Sequence, residues 1–241
     1  MKRMLLFFAT LWLGIMGASA QGYHYDVNND GDVNINDVVA LVNKILGKDN
    51  PGEGAGMEAG REVIDLGLPS GTKWASCNVG ATKPEEYGGY YAWGETEEKE
   101  VYDESTYKYY QNGKYVNIGS DISGTKYDVA HVKWGGNWCM PTLDDINELL
   151  DNCTSEWTTL NGVKGRKFTS NINGNSIFLP AAGGRWYGGR YYAGESGHYW
   201  SSTQLPDGSD YVYGLGFRSG NANWGNYGRD GGQSVRPVVR N

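Results

Sequence analysis

The strongest constraint on the fold is the alternation of aromatic residues with glycine in short runs divided by turns. The chain has 241 residues, of which 37 are Gly, 18 are Tyr and 9 are Trp. In the stretch "DYVYGLGFRSG", the odd-numbered residues Tyr211, Tyr213, Leu215 and Phe217 fall on one face of an extended chain, while the even-numbered residues 212–218 fall on the other. A period of two residues is typical of a half-buried β-strand. We therefore expect a body built mainly from short strands.

Local signals predict two hairpins and one helix within this body. The stretch "EVIDLGLPSGTKWASCNVG" predicts two strands joined at residues 69–71, and "RKFTSNINGNSIFLP" predicts a second hairpin that turns around residues 173–174. The stretch "PTLDDINELLDN" predicts a helix over about Leu143–Asn152, because Thr142 and Asp145 have capping-box spacing. The expected fold class is α+β, strand-rich with one main helix.

The first twenty residues have the pattern of an export signal. Lys2 and Arg3 precede the apolar run Met4–Met16, and small residues follow at 18–20. This order predicts a secretory signal peptide over residues 1–20. The apolar run is short for a transmembrane helix, and we expect no membrane span in the mature chain. The expected location is the periplasm, the cell surface or the medium.

The charge balance excludes two classes of partner. Lys and Arg together number 21 and Asp and Glu number 28, which gives a net charge of −7. Without Lys2 and Arg3 the balance becomes 19 against 28, or −9. A strongly acidic mature chain is a poor partner for nucleic acid or for an anionic membrane.

A twelve-residue stretch near the N-terminus, "DVNNDGDVNIND" over residues 26–37, has the spacing of a calcium loop. Calcium prefers six to eight oxygen ligands, and Gly31 permits the sharp turn at the sixth position. The predicted metal ligands are Asp26, Asn28, Asp30, Asp32 (through its carbonyl), Asn34 and Asp37. The sequence therefore predicts bound Ca²⁺ as the cofactor.

The calcium loop and the helix after it, residues 23–47, together resemble one type I dockerin repeat. Asp37 at the twelfth position, where the common EF-hand has Glu, is typical of that family. Dockerin repeats pack in pairs and dock on cohesin domains, whereas this chain shows one repeat. The apolar face of the predicted helix consists of Val38, Leu41, Val42 and Ile45. About 25 residues cannot bury a core of their own. This face therefore has to pack against the body, a second copy of the chain or a protein partner.

A flexible linker is predicted over residues 48–60, because this stretch has four glycines and a proline and no apolar periodicity. The body, residues 61–241, follows, and residues 101–130 are expected to form a long loop.

The body carries a resemblance to a known family in the stretches "VIDLGLPSGTKWASCNVGATKPEEYGGYYAWGE", "VKWGGNWCMPTLDDINELLDNC", "NGNSIFLPAAG", "YWSS" and "SVRPV". Together they resemble the Fibrobacter succinogenes major paralogous domain, which is abundant in secreted proteins of Bacteroidetes and Fibrobacteres. The resemblance spans residues 62–239 and departs from the family at Cys139.

The resemblance to this family implies an irregular α+β domain related to the C-type-lectin-like fold, which is shared with formylglycine-generating enzymes. It implies no activity. The histidines His24, His131 and His198 are scattered and form no metal-binding motif. We therefore expect a protein that is not an enzyme.

Exposed aromatic rings in the glycine-rich stretches are the candidate ligand-binding residues, since rings stack on sugar faces. The candidates are Trp186, Tyr187, Tyr191 and Trp224. The alternative is that such rings fill the core, and Trp200, inside a predicted strand, is the ring most expected there.

The three cysteines, Cys77, Cys139 and Cys153, allow at most one intramolecular disulfide. The predicted helix would hold Cys139 and Cys153 on the order of 15 Å apart, whereas a bridge needs Cα atoms within roughly 7 Å. Any bridge is therefore expected to include Cys77, and the favoured partner is Cys153 rather than Cys139. Three separate buried thiols are an equal alternative.

The function that these features favour is a secreted, non-catalytic binding or adhesion module. Its body would recognise a glycan or a surface protein, and the dockerin-like segment would supply calcium-dependent attachment. The alternatives are an enzyme acting on polysaccharide and a structural component of a surface appendage.

Overall fold

A computed structural model describes residues 55–206 and 210–240. All of these residues belong to the second of two compact units, Pro51–Asn241. The predicted signal peptide and the calcium loop with its helix lie outside the described residues. The calcium ligands and the apolar face of that helix therefore stay predictions.

Fifteen strands and two helices follow one another along the described residues. The strands are β1 Ala55–Glu58, β2 Arg61–Ile64, β3 Lys73–Ala75, β4 Tyr110–Gln111, β5 Lys114–Tyr115, β6 Trp138–Cys139, β7 Cys153–Leu160, β8 Val163–Ser170, β9 Ser176–Pro180, β10 Gly184–Trp186, β11 Gly189–Tyr191, β12 Ser196–Gln204, β13 Tyr211–Arg218, β14 Ala222–Gly228 and β15 Val238–Val239. The helices are α1 Val129–Trp134 and α2 Leu143–Asn152.

The strands of the described residues form small antiparallel sheets. Their orders are β1-β2-β3-β15-β6, β7-β8-β9 and β12-β13-β14, with the two-stranded pairs β4-β5 and β10-β11. The strand-rich class that the sequence predicts is confirmed. No helix among the described residues has the length and apolarity needed to cross a membrane.

The predicted hairpins and helix are present with the expected turns and cap. Strands β2 and β3 pair, and so do β8 and β9, on either side of the expected turns. Helix α2 has the predicted bounds, and its capping box is formed, since Thr142 Oγ1 accepts from Asp145 N–H while the Asp145 carboxylate accepts from Thr142 N–H. Ile146 and Leu149 are buried residues of this helix.

The linker prediction is wrong at its C-terminal end, because β1 lies inside it. The turn at Ala59 and Gly60, with φ angles of 47° and 75°, folds β1 back onto β2. Glu58 then accepts hydrogen bonds from Trp138 Nε1 and from Asn137 N–H. These long-range contacts stabilise a strand whose own composition favours a linker. The folded body therefore includes residues from Ala55 onward.

The segment expected to be a long loop, residues 101–130, also contains regular structure. It holds the short β4-β5 hairpin, and α1 begins at Val129. The buried Asp128 carboxylate starts this helix by accepting from Ala130 N–H and His131 N–H. A six-residue helix is too short to give a clear periodic signal in the sequence.

Aromatic rings fill much of the core. Trp93, Trp138 and Trp200 lie in one buried cluster, and Trp200 is 0% exposed, as expected for a core ring. Glycines make room for rings between the strands. A Cβ on Gly214 would lie 3.1 Å from the ring of Tyr227, which is packed across that strand. The lack of a side chain at glycine in these strands therefore allows the rings to pack closely against the backbone.

The three cysteines are free and buried, and the predicted Cys77–Cys153 bridge is not formed. Cys77 and Cys153 lie in different buried clusters, and Cys77 donates to the carbonyl of Ala81 at 3.4 Å. Burial raises the pKa of each thiol, to about 11 for Cys153. The alternative of three separate buried thiols describes this structure.

One buried guanidinium, that of Arg236, joins segments far apart in the sequence. It donates to Asn78 Oδ1 at 2.9 Å and to the carbonyls of Ala75 at 3.1 Å, Ser76 at 3.0 Å and Phe178 at 2.9 Å. Burial lowers the pKa of Arg236. Arginine stays charged when buried, since its ordinary pKa is above about 12. The charge is therefore solvated by the protein's own oxygen atoms.

We expect Arg236→Met to lower the free energy of unfolding by about 3 kcal/mol, because several buried acceptors lose their donor. Urea denaturation measures this change. The matched control is Lys164→Met at an exposed position of β8, where a change within about 0.5 kcal/mol is expected. Equal effects of the two substitutions would contradict a structural role for the buried guanidinium.

Candidate functional site

An open cleft of about 450 Å³ lies where four segments meet, residues 103–115, 187, 210–211 and 228–230. Its wall is formed by Asp103, Glu104, Ser105, Tyr115, Tyr187, Asp210, Tyr211, Gly228 and Asp230. The lining is thus made of tyrosine rings and carboxylates. Clefts of about 300–1,000 Å³ are typical of sites for small ligands.

The segment that carries Asp103 and Glu104 is fixed to the body through Tyr102. The buried Tyr102 exchanges two backbone hydrogen bonds with Tyr187, both at 2.8 Å. Its hydroxyl donates to the carbonyl of Tyr90. These bonds hold the segment of Asp103 and Glu104 against the backbone of Tyr187, and all three residues line the cleft.

The ring of Tyr187 is presented at the turn between β10 and β11. Arg185 in β10 exchanges backbone hydrogen bonds of 2.7 and 2.8 Å with Gly232, so this hairpin is anchored next to Asp230. Tyr187 has a φ of 52°, a left-handed conformation that few side chains other than glycine adopt. Its side chain is 69% exposed. An aromatic ring held at a rigid turn is ready to contact a ligand.

The buried guanidinium of Arg229 packs behind Tyr115, a residue of the cleft wall. The Arg229 guanidinium lies 4.9 Å from the ring centre of Trp93 and 5.5 Å from that of Tyr115. It also donates to Tyr107 Oη at 3.2 Å and to the carbonyl of Val116 at 2.9 Å. Arg229 thereby ties the segment around Tyr115 to the end of β14.

Two carboxylates face each other across the hydroxyl of Tyr115. This hydroxyl lies 3.3 Å from Glu104 Oε1 and 3.4 Å from Asp230 Oδ1. Burial raises the pKa of Tyr115, and the charges of Asp230 and Glu104 raise it further. Burial also raises the pKa of Asp230, with Glu104 and Asp103 adding to this effect. Carboxylates are therefore concentrated around the Tyr115 hydroxyl in this cleft.

The four rings predicted to bind ligand do not share one site. Tyr187 lines the cleft, whereas the other three do not. Trp186 is half-buried and packs edge-on against His198, with ring centres 5.8 Å apart. Tyr191 is 45% exposed on β11, and Trp224 is 51% exposed on β14. Of the four rings, Tyr187 is thus the one that lies in the cleft, and the binding roles of the other three stay predictions.

Sequence reasoning missed most of the cleft. Asp103, Glu104 and Tyr115 lie in the segment expected to be a loop, and Asp210 and Tyr211 lie at the start of a well-predicted strand. The available signal was the presence of acidic residues near Tyr in "YDESTYKYY" and "NYGRD". Nothing in the spacing of these stretches indicates that they meet.

His198, whose ring packs against Trp186 of β10, has a lowered pKa. Burial lowers the pKa of His198 to about 4, and repulsion by Arg218 contributes. Its Nε2 lies 3.0 Å from Ser196 Oγ, and the Ser196 side chain is buried. Among residues 55–206 and 210–240, no group of three or more His, Cys, Asp or Glu side chains is placed to hold a metal ion.

We expect Gly183→Ala to destabilise the segment that presents Tyr187 by about 2 kcal/mol or more. Gly183 has a φ of 65°, and a Cβ there would overlap the carbonyl oxygen of Tyr191. Urea denaturation gives the loss in free energy of unfolding. The control is Gly188→Ala in the same hairpin, where a Cβ meets no atom within 4 Å. A destabilisation by Gly188→Ala as large as that by Gly183→Ala would contradict the packing described.

Comparison with known proteins gives one family match to a domain of unknown function (DUF8237), over residues 152–238. The matched region runs from the end of α2 to the start of β15, and it includes Tyr187, Asp210, Tyr211 and Asp230. It does not include Asp103, Glu104 or Tyr115, and it covers less than half of the chain. Neither the curated proteins nor the solved structures give a match. The chain is thus similar to this family over the part that forms β7 to β14.

Proposed function

We propose that this chain is a secreted, non-catalytic binding module that recognises a glycan in the tyrosine- and carboxylate-lined cleft. The observation that carries the proposal is the exposed ring of Tyr187 in the wall of an open cleft of about 450 Å³ that carboxylates also line. The resemblance to a domain related to the C-type-lectin-like fold also supports it.

The residues of the cleft match the chemistry of a sugar. The apolar face of a pyranose ring stacks on an aromatic ring such as that of Tyr187, while carboxylate oxygens of Asp103 or Asp210 accept hydrogen bonds from hydroxyl groups. The Tyr187 turn is already fixed by backbone hydrogen bonds to Tyr102. A pre-organised ring loses little conformational entropy on binding, which favours affinity.

The proposed attachment lies in the dockerin-like segment. The ligand spacing over residues 26–37 supports calcium binding, and the apolar face of Val38, Leu41, Val42 and Ile45 supports docking of a protein partner or a second copy. Export would place both parts in the periplasm, on the cell surface or in the medium, where calcium is available.

We expect Tyr187→Ala to weaken glycan binding by the mature chain, residues 21–241, at least tenfold. A tenfold loss corresponds to about 1.4 kcal/mol, within reach of one stacked ring. A glycan array selects the ligand, and isothermal titration calorimetry measures its affinity. Tyr191→Ala, an exposed ring of the same hairpin outside the cleft, is the control and should keep the parent affinity. Unchanged binding by Tyr187→Ala, or no glycan bound by the parent chain, would refute the proposal.

A second candidate, an enzyme acting on polysaccharide, is favoured by one observation. Glu104 and Asp230 share the Tyr115 hydroxyl, so their oxygens lie within about 7 Å of each other, a spacing found in glycoside hydrolases. The same titrations distinguish this candidate from binding alone. Shorter oligosaccharides would appear during incubation, and Glu104→Gln would stop their formation.

We expect Asp30→Ala to weaken calcium binding by the mature chain at least tenfold, because it removes a carboxylate ligand at the fifth loop position. Calorimetric titration of the calcium-free protein measures this loss. Asn29→Ala, at a position of the loop that supplies no ligand, is the control. Parent-like calcium affinity in Asp30→Ala would refute the assignment of the loop.

A further inference from the structure

The charge of the cleft identifies a class of glycan more closely than its shape does. Four carboxylates line the cleft, and no Lys, Arg or His is among the described residues of its wall. The carboxylates are Asp103, Glu104, Asp210 and Asp230. A neutral sugar needs hydrogen-bond acceptors, but it does not need this excess of negative charge.

These carboxylates have no cationic partner within the described part of the chain. The ion pairs of the described residues involve Asp65, Glu95, Glu97 and Asp145, all outside the cleft. The guanidinium of Arg229, which lies behind the ring of Tyr115, donates to Tyr107 and to the carbonyl of Val116. Part of the negative potential of the cleft is therefore left for a ligand to balance.

Tyrosine rings complete a setting that suits an ammonium group. Tyr187 is 69% exposed and Tyr211 is 50% exposed, and Tyr115 forms the wall between Glu104 and Asp230. The face of an aromatic ring attracts a cation, and the attraction adds to that of a neighbouring carboxylate. The exposed ring of Tyr187, in a wall that also carries carboxylates, is thus complementary to a protonated amine attached to a ring-stacking group.

We propose that the cleft binds a glycan carrying free amino groups, with the ammonium against the carboxylates and the sugar ring on Tyr187. This inference rests on the proposed glycan-binding function and specifies its ligand class. An amino sugar uses both parts of the wall, since its ring stacks on Tyr187 while its ammonium pairs with a carboxylate. A lysine peptide would use the charge but would leave the exposed ring of Tyr187 without a sugar face to stack on.

The test compares three β-1,4-linked tetrasaccharides by calorimetry with the mature chain: glucosamine, N-acetylglucosamine and glucose tetramers. We expect the glucosamine tetramer to bind at least tenfold more tightly than the other two. Raising the salt concentration from about 50 to about 300 mM should weaken only this binding, because salt screens exposed charges. Tetralysine is included as a charged probe without a sugar ring, and it should bind more weakly than the glucosamine tetramer.

The variants test the charges separately from the ring. Asp230→Asn and the exposed Glu104→Gln should each weaken binding of the glucosamine tetramer at least threefold more than they weaken binding of the glucose tetramer. Glu156→Gln, an exposed carboxylate on β7 outside the cleft, is the control and should keep the preference. Because Glu104 is exposed, its substitution gives a reading even where Asp230→Asn fails to fold.

The results that would contradict the amine inference differ from those that would contradict the glycan proposal. Equal affinities for the three tetrasaccharides, all lost in Tyr187→Ala, would overturn the amine inference and leave the glycan proposal standing. Tighter binding of tetralysine than of the glucosamine tetramer would overturn the assignment to a sugar. No binding of these probes or of any glycan on an array would overturn both.

Discussion

The cleft depends on one buried cation, the guanidinium of Arg229. Packed against Trp93 and Tyr115 and bonded to Tyr107 and to the carbonyl of Val116, it joins the long segment after β3 to the end of β14. A desolvated charge is costly unless it is matched by hydrogen bonds and ring faces. This requirement restricts where the segment can lie, and it places Glu104 and Tyr115 opposite Asp230. The negative wall of the cleft is thus built around a positive group behind it.

Glycine and aromatic residues contribute in complementary ways to this architecture. In strands β12 to β14, aromatic rings pack against glycine, as the ring of Tyr227 packs against Gly214. Other rings of these strands, such as that of Trp224, face solvent. The turn at Tyr187 is held by backbone bonds to Tyr102, so its ring is presented by rigid structure. The same composition therefore builds the core and supplies the exposed ring of the proposed glycan site.

The sequence predicts those parts of the fold whose signals are local. The alternation in β13, the hairpins and the capping box at Thr142 are all found where expected, because each depends on residues close together in the chain. Strand β1 was missed, since its stability comes from pairing with β2 and from contacts of Glu58. The cleft could not be predicted beyond Tyr187. Asp103 and Glu104 lie more than a hundred residues before Asp210 and Asp230 in the chain. These two pairs meet through contacts, such as those of Arg229, that no local pattern encodes.

The central claim is that ligand binds in this cleft and not on the exposed ring of β14. The most direct test is nuclear magnetic resonance of the tyrosine and tryptophan rings in the mature chain, titrated with the glycan that binds best. The account predicts shifts of the Tyr115, Tyr187 and Tyr211 ring signals, while those of Tyr213 and Trp224 stay unchanged. Shifts confined to Tyr213 and Trp224 would contradict it.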